Sequence, residues 1–406
     1  MGFDIISNLP SPITEIILSR LPIKDAVRTS VLSSQWRYKA AMLQHLVFDY
    51  ECRSARENAT TFANIVDHVL LTHIGPIHKF ELARDQLARK DIDRWILHLS
   101  RNSIKELIFH NRGPRYKIPS CLFSCHSIIS LELLNCLLEP PSNFKGFKNL
   151  KSLDIRDVAF SQDVLQHLIA SCPVLESLSL VWCDNFKHLR INAPNLKILD
   201  VRGSFKDIVL ENTLNLVDVS IGLEAVKFYV SQSPLSDGSS NLVRILSRLP
   251  RVQKLDFYIC SLSYMAIGDV PLKLPTPCLY LNCLGISLNL TRLKESLTAL
   301  CMFRSCPYLQ ELNVQVHPAH EVGKSGNSWL DENRRCSFKQ LRRVFINDMG
   351  GSKLELNFVR YLLLNAPVLE KMTIQPVPGV EASKLENKLL GAKRASVRVK
   401  TIFQDQ

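Results

Sequence analysis

The sequence predicts an α/β fold: a solenoid of stacked strand-and-helix units, curved as a horseshoe, behind a small N-terminal all-α module of three helices. Three observations carry this. A pattern L-x-x-L-x-L recurs along the 406-residue chain, with most intervals close to 20 to 29 residues. Four of the copies run helix, proline, strand in that order. The first forty residues share neither feature and carry their apolar residues at helical spacing instead.

In that N-terminal stretch, Leu9-Pro10 precedes a helix with Ser11 as its cap, Pro12 at the first helical position and Glu15 near the positive end. Ile13, Ile16, Ile17 and Leu21 share a face before Pro22 stops the helix; Ala26, Val27 and Val31 line a second helix, and Trp36 opens a third. So small a unit lacks the interior volume to bury all of these side chains, so some of the surface needs a partner. The order Leu-Pro, Ile/Leu-rich helix, Leu21-Pro22, Lys24-Asp25-Ala26-Val27, Thr29-Ser30-Val31-Leu32-Ser33 and Trp36-Arg37 resembles a plant-type F-box. The resemblance implies a Skp-type adaptor as partner, held by Leu9, Pro10, Ile13, Ile16, Ile17, Leu21, Pro22, Val27, Val31, Leu32 and Trp36.

From about residue 40 to 74 the spacing of Phe62, Ile65, Val66, Val69 and Leu70 predicts one or two linking helices. The repeat pattern then has anchors at Ile77, Ile104, Ile128, Leu150, Leu175, Leu196, Leu216, Val252, Leu281, Leu309, Leu341 and Leu369. Its period is that of leucine-rich repeats. Alternation such as Leu178-x-Leu180 marks a strand with one buried face. Cys136, Cys183, Cys260 and Asn289 take the turn position that follows, which gives the three cysteines a structural role. Pro173, Pro250, Pro307 and Pro367 cannot continue their helices and mark each return to the sheet. Toward the end, Phe338 to Ile374 resembles the FBD segment of plant F-box/leucine-rich-repeat proteins, above all at Glu355, Phe358-Val359 and residues 365–370. The expected domains are an F-box at 1–45, a helical linker at 46–75, leucine-rich repeats at 76–335 and FBD-like C-terminal repeats with a cap at 336–406.

Composition excludes other classes. No apolar run approaches the length of a membrane span, and Asp4 with two prolines replaces the basic start and apolar centre of a signal peptide, so the expectation is an intracellular protein of cytoplasm and/or nucleus, away from membranes. Twelve cysteines without such a signal read as reduced thiols, and the pairs Cys121/Cys125, Cys278/Cys283 and Cys301/Cys306 lack zinc-site spacing, so neither metal nor disulfides are expected. Net charge is +12, from 50 Lys and Arg against 38 Asp and Glu, but the charges are scattered; only Lys388, Lys393, Arg394, Arg398 and Lys400 form a basic segment, read as a solvated strand or tail. No nucleotide-binding or hydrolase motif is present, and no cofactor is expected.

The family resemblance implies a non-catalytic substrate receptor of an SCF-type ubiquitin ligase, joined through the adaptor to a cullin and RING partner, with the repeats holding a target protein. A plain repeat-binding protein without ubiquitin function and a nucleic-acid binder are the competing readings. The same alignment gives the middle residue of each strand on the concave face: Ile108, Glu132, Asp154, Ser179, Asp200, Ser220, Asp256, Gly285, Asn313, Phe345 and Thr373. Four of these are acidic, which suits protein rather than nucleic-acid targets, with Glu132, Asp154, Asp200, Asp256 and Phe345 as candidate contacts. Asp154 and Asp200 equally read as partners of Arg156 and Arg202, two residues along on the same face.

Overall fold

The computed structural model describes residues 9–29, 36, 38–48, 59–84, 87–184, 188–224, 239–317 and 338–404, in two compact units, Met1–Phe186 and Lys187–Gln406. In the first unit the order is α1 (Ser11–Ser19), α2 (Ile23–Arg28), a 3-10 turn (Ala40–Met42), β1 (His45–Phe48), α3 (Ala59–Thr72), β2 (Lys79–Arg84), α4 (Arg89–Arg101) and β3 (Glu106–Asn111). It continues with β4 (Tyr116–Lys117), β5 (Ser130–Leu134), β6 (Cys136–Leu137), β7 (Ser152–Arg156), α5 (Gln162–Ala170) and β8 (Ser177–Val181). The strands β1-β2-β3-β5-β7-β8 lie side by side, each parallel to the next, and β4 pairs with β6 apart from them.

Two expectations change here. The cap of α1 is Pro10, whose carbonyl accepts from Ile13 and Thr14 N–H at 3.0 and 3.1 Å, and Ser11 is already helical. The stretch expected as a helical linker holds the helix α3 but also the strand β1, because Leu46 and Phe48, both fully buried, alternate with His45 and Val47 at the two-residue period of a sheet. The sheet thus begins one strand before the first repeat anchor. The N-terminal module is tied to it: Ile74 N–H donates to Ala41 O at 2.7 Å and His78 N–H to Gln44 O at 2.8 Å. Of the three helices expected in that module, α1 and α2 are present, the described end is the 3-10 turn, and the start of the third falls largely outside the described residues.

The second unit runs β9 (His188–Asn192), β10 (Ile198–Gly203), β11 (Asp207–Glu211), β12 (Asp218–Leu223), α6 (Asn241–Leu246), β13 (Lys254–Ile259), α7 (Ser261–Met265), β14 (Cys283–Leu288) and α8 (Leu293–Ser305). Then follow β15 (Glu311–Val316), β16 (Arg343–Met349), α9 (Lys353–Asn365), β17 (Lys371–Pro376), α10 (Ala382–Leu389) and β18 (Lys400–Phe403). Here β10-β12-β13-β14-β15-β16-β17-β18 form parallel neighbours, while β9 and β11 pair separately. Beyond β17, α10 and β18 add one more helix and strand.

The core follows from the repeat. All twelve anchor residues are at most 2 % exposed, so each unit contributes a fully buried apolar post that its neighbours stack upon. Beneath the turns, Cys136 Sγ donates to Leu134 O at 3.3 Å and Cys183 Sγ to Ile155 O at 3.4 Å. Burial pushes the Cys183 thiol up to about 12 and Cys136 higher still, which keeps both protonated and unreactive. Helix starts are capped by Ser161, Ser240 and Ser352, whose hydroxyls accept from the backbone three residues on.

Candidate functional site

Two surfaces stand out, one helical and one on the sheet. In α1 the sequence places a residue of each kind on either side. Thr14 and Leu18, four apart, are each 1 % exposed and face inward; Thr14 Oγ1 donates to Pro10 O at 3.2 Å and accepts from Lys39 Nζ at 3.0 Å. Ile13, Ile16 and Ile17 are 45, 55 and 39 % exposed on the opposite side, and Leu21 just beyond the helix is 39 % exposed. Of the other residues expected to meet an adaptor, Pro10 is exposed, Leu9, Pro22 and Val27 are half-buried, and Val31 and Leu32 lie outside the described residues. Trp36 departs from that expectation. It is 3 % exposed, with the Lys39 ammonium 5.4 Å from its ring, because a large indole contributes most inside a core this small. Covering a leucine- or isoleucine-sized side chain is worth roughly 1.5–3 kcal/mol when burial is complete, and among the described residues nothing covers the α1 row.

On the sheet, the residues read as strand midpoints form one register in each unit. In the first, Val47, Glu81, Ile108, Glu132, Asp154 and Ser179 are successive cross-strand partners. Each acid has a partner on its own face. Lys79 Nζ is 3.0 Å from Glu81, His110 Nε2 is 2.7 Å from Glu132, and Arg156 holds Asp154 with bonds of 2.9 and 2.6 Å. The His110 hydrogen bond holds the Glu132 carboxyl below its usual range, against the opposing pull of burial.

In the second unit the register runs Asp200, Ser220, Asp256, Gly285, Asn313, Phe345, Thr373 and Ile402. Arg202 Nε donates to Asp200 at 2.9 Å while its guanidinium lies 4.6 Å from the Tyr258 ring. Asp256 is 5 % exposed, and burial pushes its carboxyl upward. Lys254 Nζ sits 3.3 Å from Asp218 and 3.5 Å from Asp256 Oδ2, near enough for charge compensation but outside hydrogen-bond geometry for the latter. The close packing explains Gly285: a Cβ there would come within 2.0 Å of Asp256 Oδ1. Phe345, half-buried, is three strands from Asp256, roughly 14 Å at ordinary strand spacing.

Glu132 and Asp154 are therefore neighbours, Asp200 and Asp256 lie two strands apart with Ser220 between them, and Phe345 stands apart in the second group. Asp154 and Asp200 are satisfied by Arg156 and Arg202, as the spacing allowed. The strand-midpoint reading overlooked Tyr258 and Lys254, which with Arg202 build the aromatic and cationic part of the same face; the same alignment, shifted by two, contains them.

Comparison with known proteins covers most of the chain. Residues 92–314, more than half of it, match the family model described as FBD-associated F-box protein At5g56370, LRR repeats; 335–374 match FBD and 6–46 match the F-box domain. The F-box/FBD/LRR-repeat protein At1g13570 of Arabidopsis thaliana is 39 % identical over 411 residues, covering 98 % of either chain. The chain belongs to the F-box/FBD/leucine-rich-repeat family. More distant members from Arabidopsis thaliana include the putative FBD-associated F-box protein At5g50270, 27 % identical over 92 % of this chain and 97 % of its own, and F-box/LRR-repeat protein 13, 27 % identical over 98 % and 96 %. The family's F-box match encloses α1 and α2, and its FBD match encloses β16 and α9.

Proposed function

We propose that this chain is the substrate-receptor subunit of an SCF-type ubiquitin ligase, acting in the cytoplasm, the nucleus or both. The observation that carries it is the exposed isoleucine row of α1, set in an F-box at the head of a repeat array. In this reading α1 docks into a Skp-type adaptor, which connects to a cullin and its RING partner, and the open sheet face holds a target protein. The chain supplies no reacting group. Holding a target lysine beside the charged conjugating enzyme raises the effective concentration of the two, which is catalysis by proximity. The paired acids, Tyr258 and Phe345 on the sheet suit a protein surface better than a phosphate backbone, whose capture needs unpaired Lys and Arg.

Co-purification with a Skp-type adaptor tests this. The wild-type chain retains the adaptor through gel filtration, and Leu9→Ala/Pro10→Ala or Ile13→Ser/Ile16→Ser releases it while the repeat domain keeps its melting temperature. Retention by both variants would refute the docking face. Adaptor binding without ubiquitination of any captured protein would instead leave a repeat-binding module that does not serve a ligase.

A further inference from the structure

The second unit ends on an open sheet edge. β18 is the last strand in the order among the described residues, paired on one side only. Lys400 N–H donates to Glu370 O at 2.9 Å and Gln404 N–H to Ile374 O at 3.1 Å, so alternate residues turn their backbone groups toward β17. Those of Thr401 and Phe403 point away from the array, an unused row of donors and acceptors. Beside them, on the helix-covered side, Leu363, Leu389, Leu390, Thr401 and Phe403, with Glu386 and Arg394, line a cleft, into which the Thr401 hydroxyl is buried without a partner. Leu390 is 68 % exposed at its rim.

On the other face the charge is one-sided. Arg343, Lys371 and Lys400 are successive cross-strand partners, so the row arrives at the edge with two cations directly opposite one another, and among the described residues only Arg343 is neutralised, by Glu311 at 2.8 Å. Like charges so placed repel, and an acid on a next strand would relieve them. Residues 391–406 carry Lys393, Arg394, Arg398 and Lys400 against the one acid Asp405. A second copy of this chain meeting the edge would bring the same four cations against their own kind.

We propose that β18 is a docking edge for an acidic extended segment of a partner protein, which adds as a further strand. Its backbone pairs with Thr401 and Phe403, an aliphatic side chain enters the cleft beside Leu390, and alternate acidic side chains face Lys400 and Lys371. This goes beyond target capture on the sheet face and does not depend on the adaptor reading.

The test uses the full-length protein and a fluorescent synthetic peptide alternating Glu with Val and Ile, followed by anisotropy. Saturable binding is expected, and a peptide with Lys in place of Glu should not bind. Thr401→Pro removes an outward N–H without touching the bonds to β17. It should weaken the acidic peptide about ten-fold or more at an unchanged melting temperature. Should that variant unfold, Arg398→Glu/Lys400→Glu decides, since it should reverse the preference between the two peptides. No binding of the acidic peptide, or equal binding by a well-folded Thr401→Pro, would overturn the proposal. So would a concentration-dependent dimer that Thr401→Pro abolishes, which would assign the edge to a second copy.

Discussion

α1 and α9 are both short helices rich in aliphatic residues, and they use them in opposite ways. In α9, Leu356, Phe358, Val359, Tyr361, Leu362 and Leu363 are all buried, between the sheet and α10. Among the described residues of α1 only Thr14 and Leu18 are buried, and three isoleucines look outward. Apolar periodicity finds the sticky side of a helix, but what covers that side depends on which elements the rest of the chain brings near it. A repeat has neighbours on both sides; α1, at the head of the array, has α2 and little else among the described residues.

The sharpest way to break this comparison is to shorten one aliphatic side chain in each helix. Leu362→Ala, at a fully buried position, should cost about 2–5 kcal/mol in urea unfolding. Ile16→Ser should stay within about 0.5 kcal/mol of wild type while lowering adaptor retention. Equal destabilisation would mean that the α1 row is covered by the chain itself.

The starts of the two helices differ in the same sense. Glu355, 4 % exposed, accepts from Gly351 N–H at 2.6 Å and Ser352 N–H at 3.0 Å in a capping box, whereas α1 starts on Pro10 with no side-chain acceptor. Glu355→Ala should cost about 1–3 kcal/mol by leaving two donors unmade, and Glu355→Gln less. A variant as stable as wild type would show that the cap is replaced by water.

The smallest effects concern a covered and an uncovered acid on the sheet. Glu132 is held low by its bond from His110, so the stability it contributes is present above its unfolded pKa and lost as pH falls through the folded value. Glu132→Gln should therefore lower the melting temperature at neutral pH, with the deficit vanishing near pH 3 or below. Asp256 is raised by burial, so its favourable share is complete only below its unfolded pKa and is lost as pH rises through the folded value. Asp256→Asn should match or exceed wild type at neutral pH, and the advantage should shrink on acidification. Melting curves over pH 3–8 would show whether the two trends have opposite sign.

Much of this was readable in advance because repeats amplify weak signals. One L-x-x-L-x-L proves nothing, but twelve in order locate the anchors, the strand midpoints and even the register, since neighbouring units must stack in phase. β1 escaped because it precedes the pattern and is four residues long. Lys400-Thr401-Ile402-Phe403 reads equally as strand or tail because it lacks the anchor, and the sequence does not place Trp36 because an aromatic near a docking helix looks the same whether it faces in or out.

The sequence by itself therefore determined the α/β solenoid, its units, its buried posts and the F-box at its head, all of which depend on local spacing and on the period of the repeat. Only the tertiary structure decided which groups remain available: Ile16 and not Trp36, the open edge of β18, and an Asp256 sealed against Gly285 while Asp154 lies open with Arg156. Exposure is set by what residues far apart in the chain place over a side chain, and no local pattern carries that information.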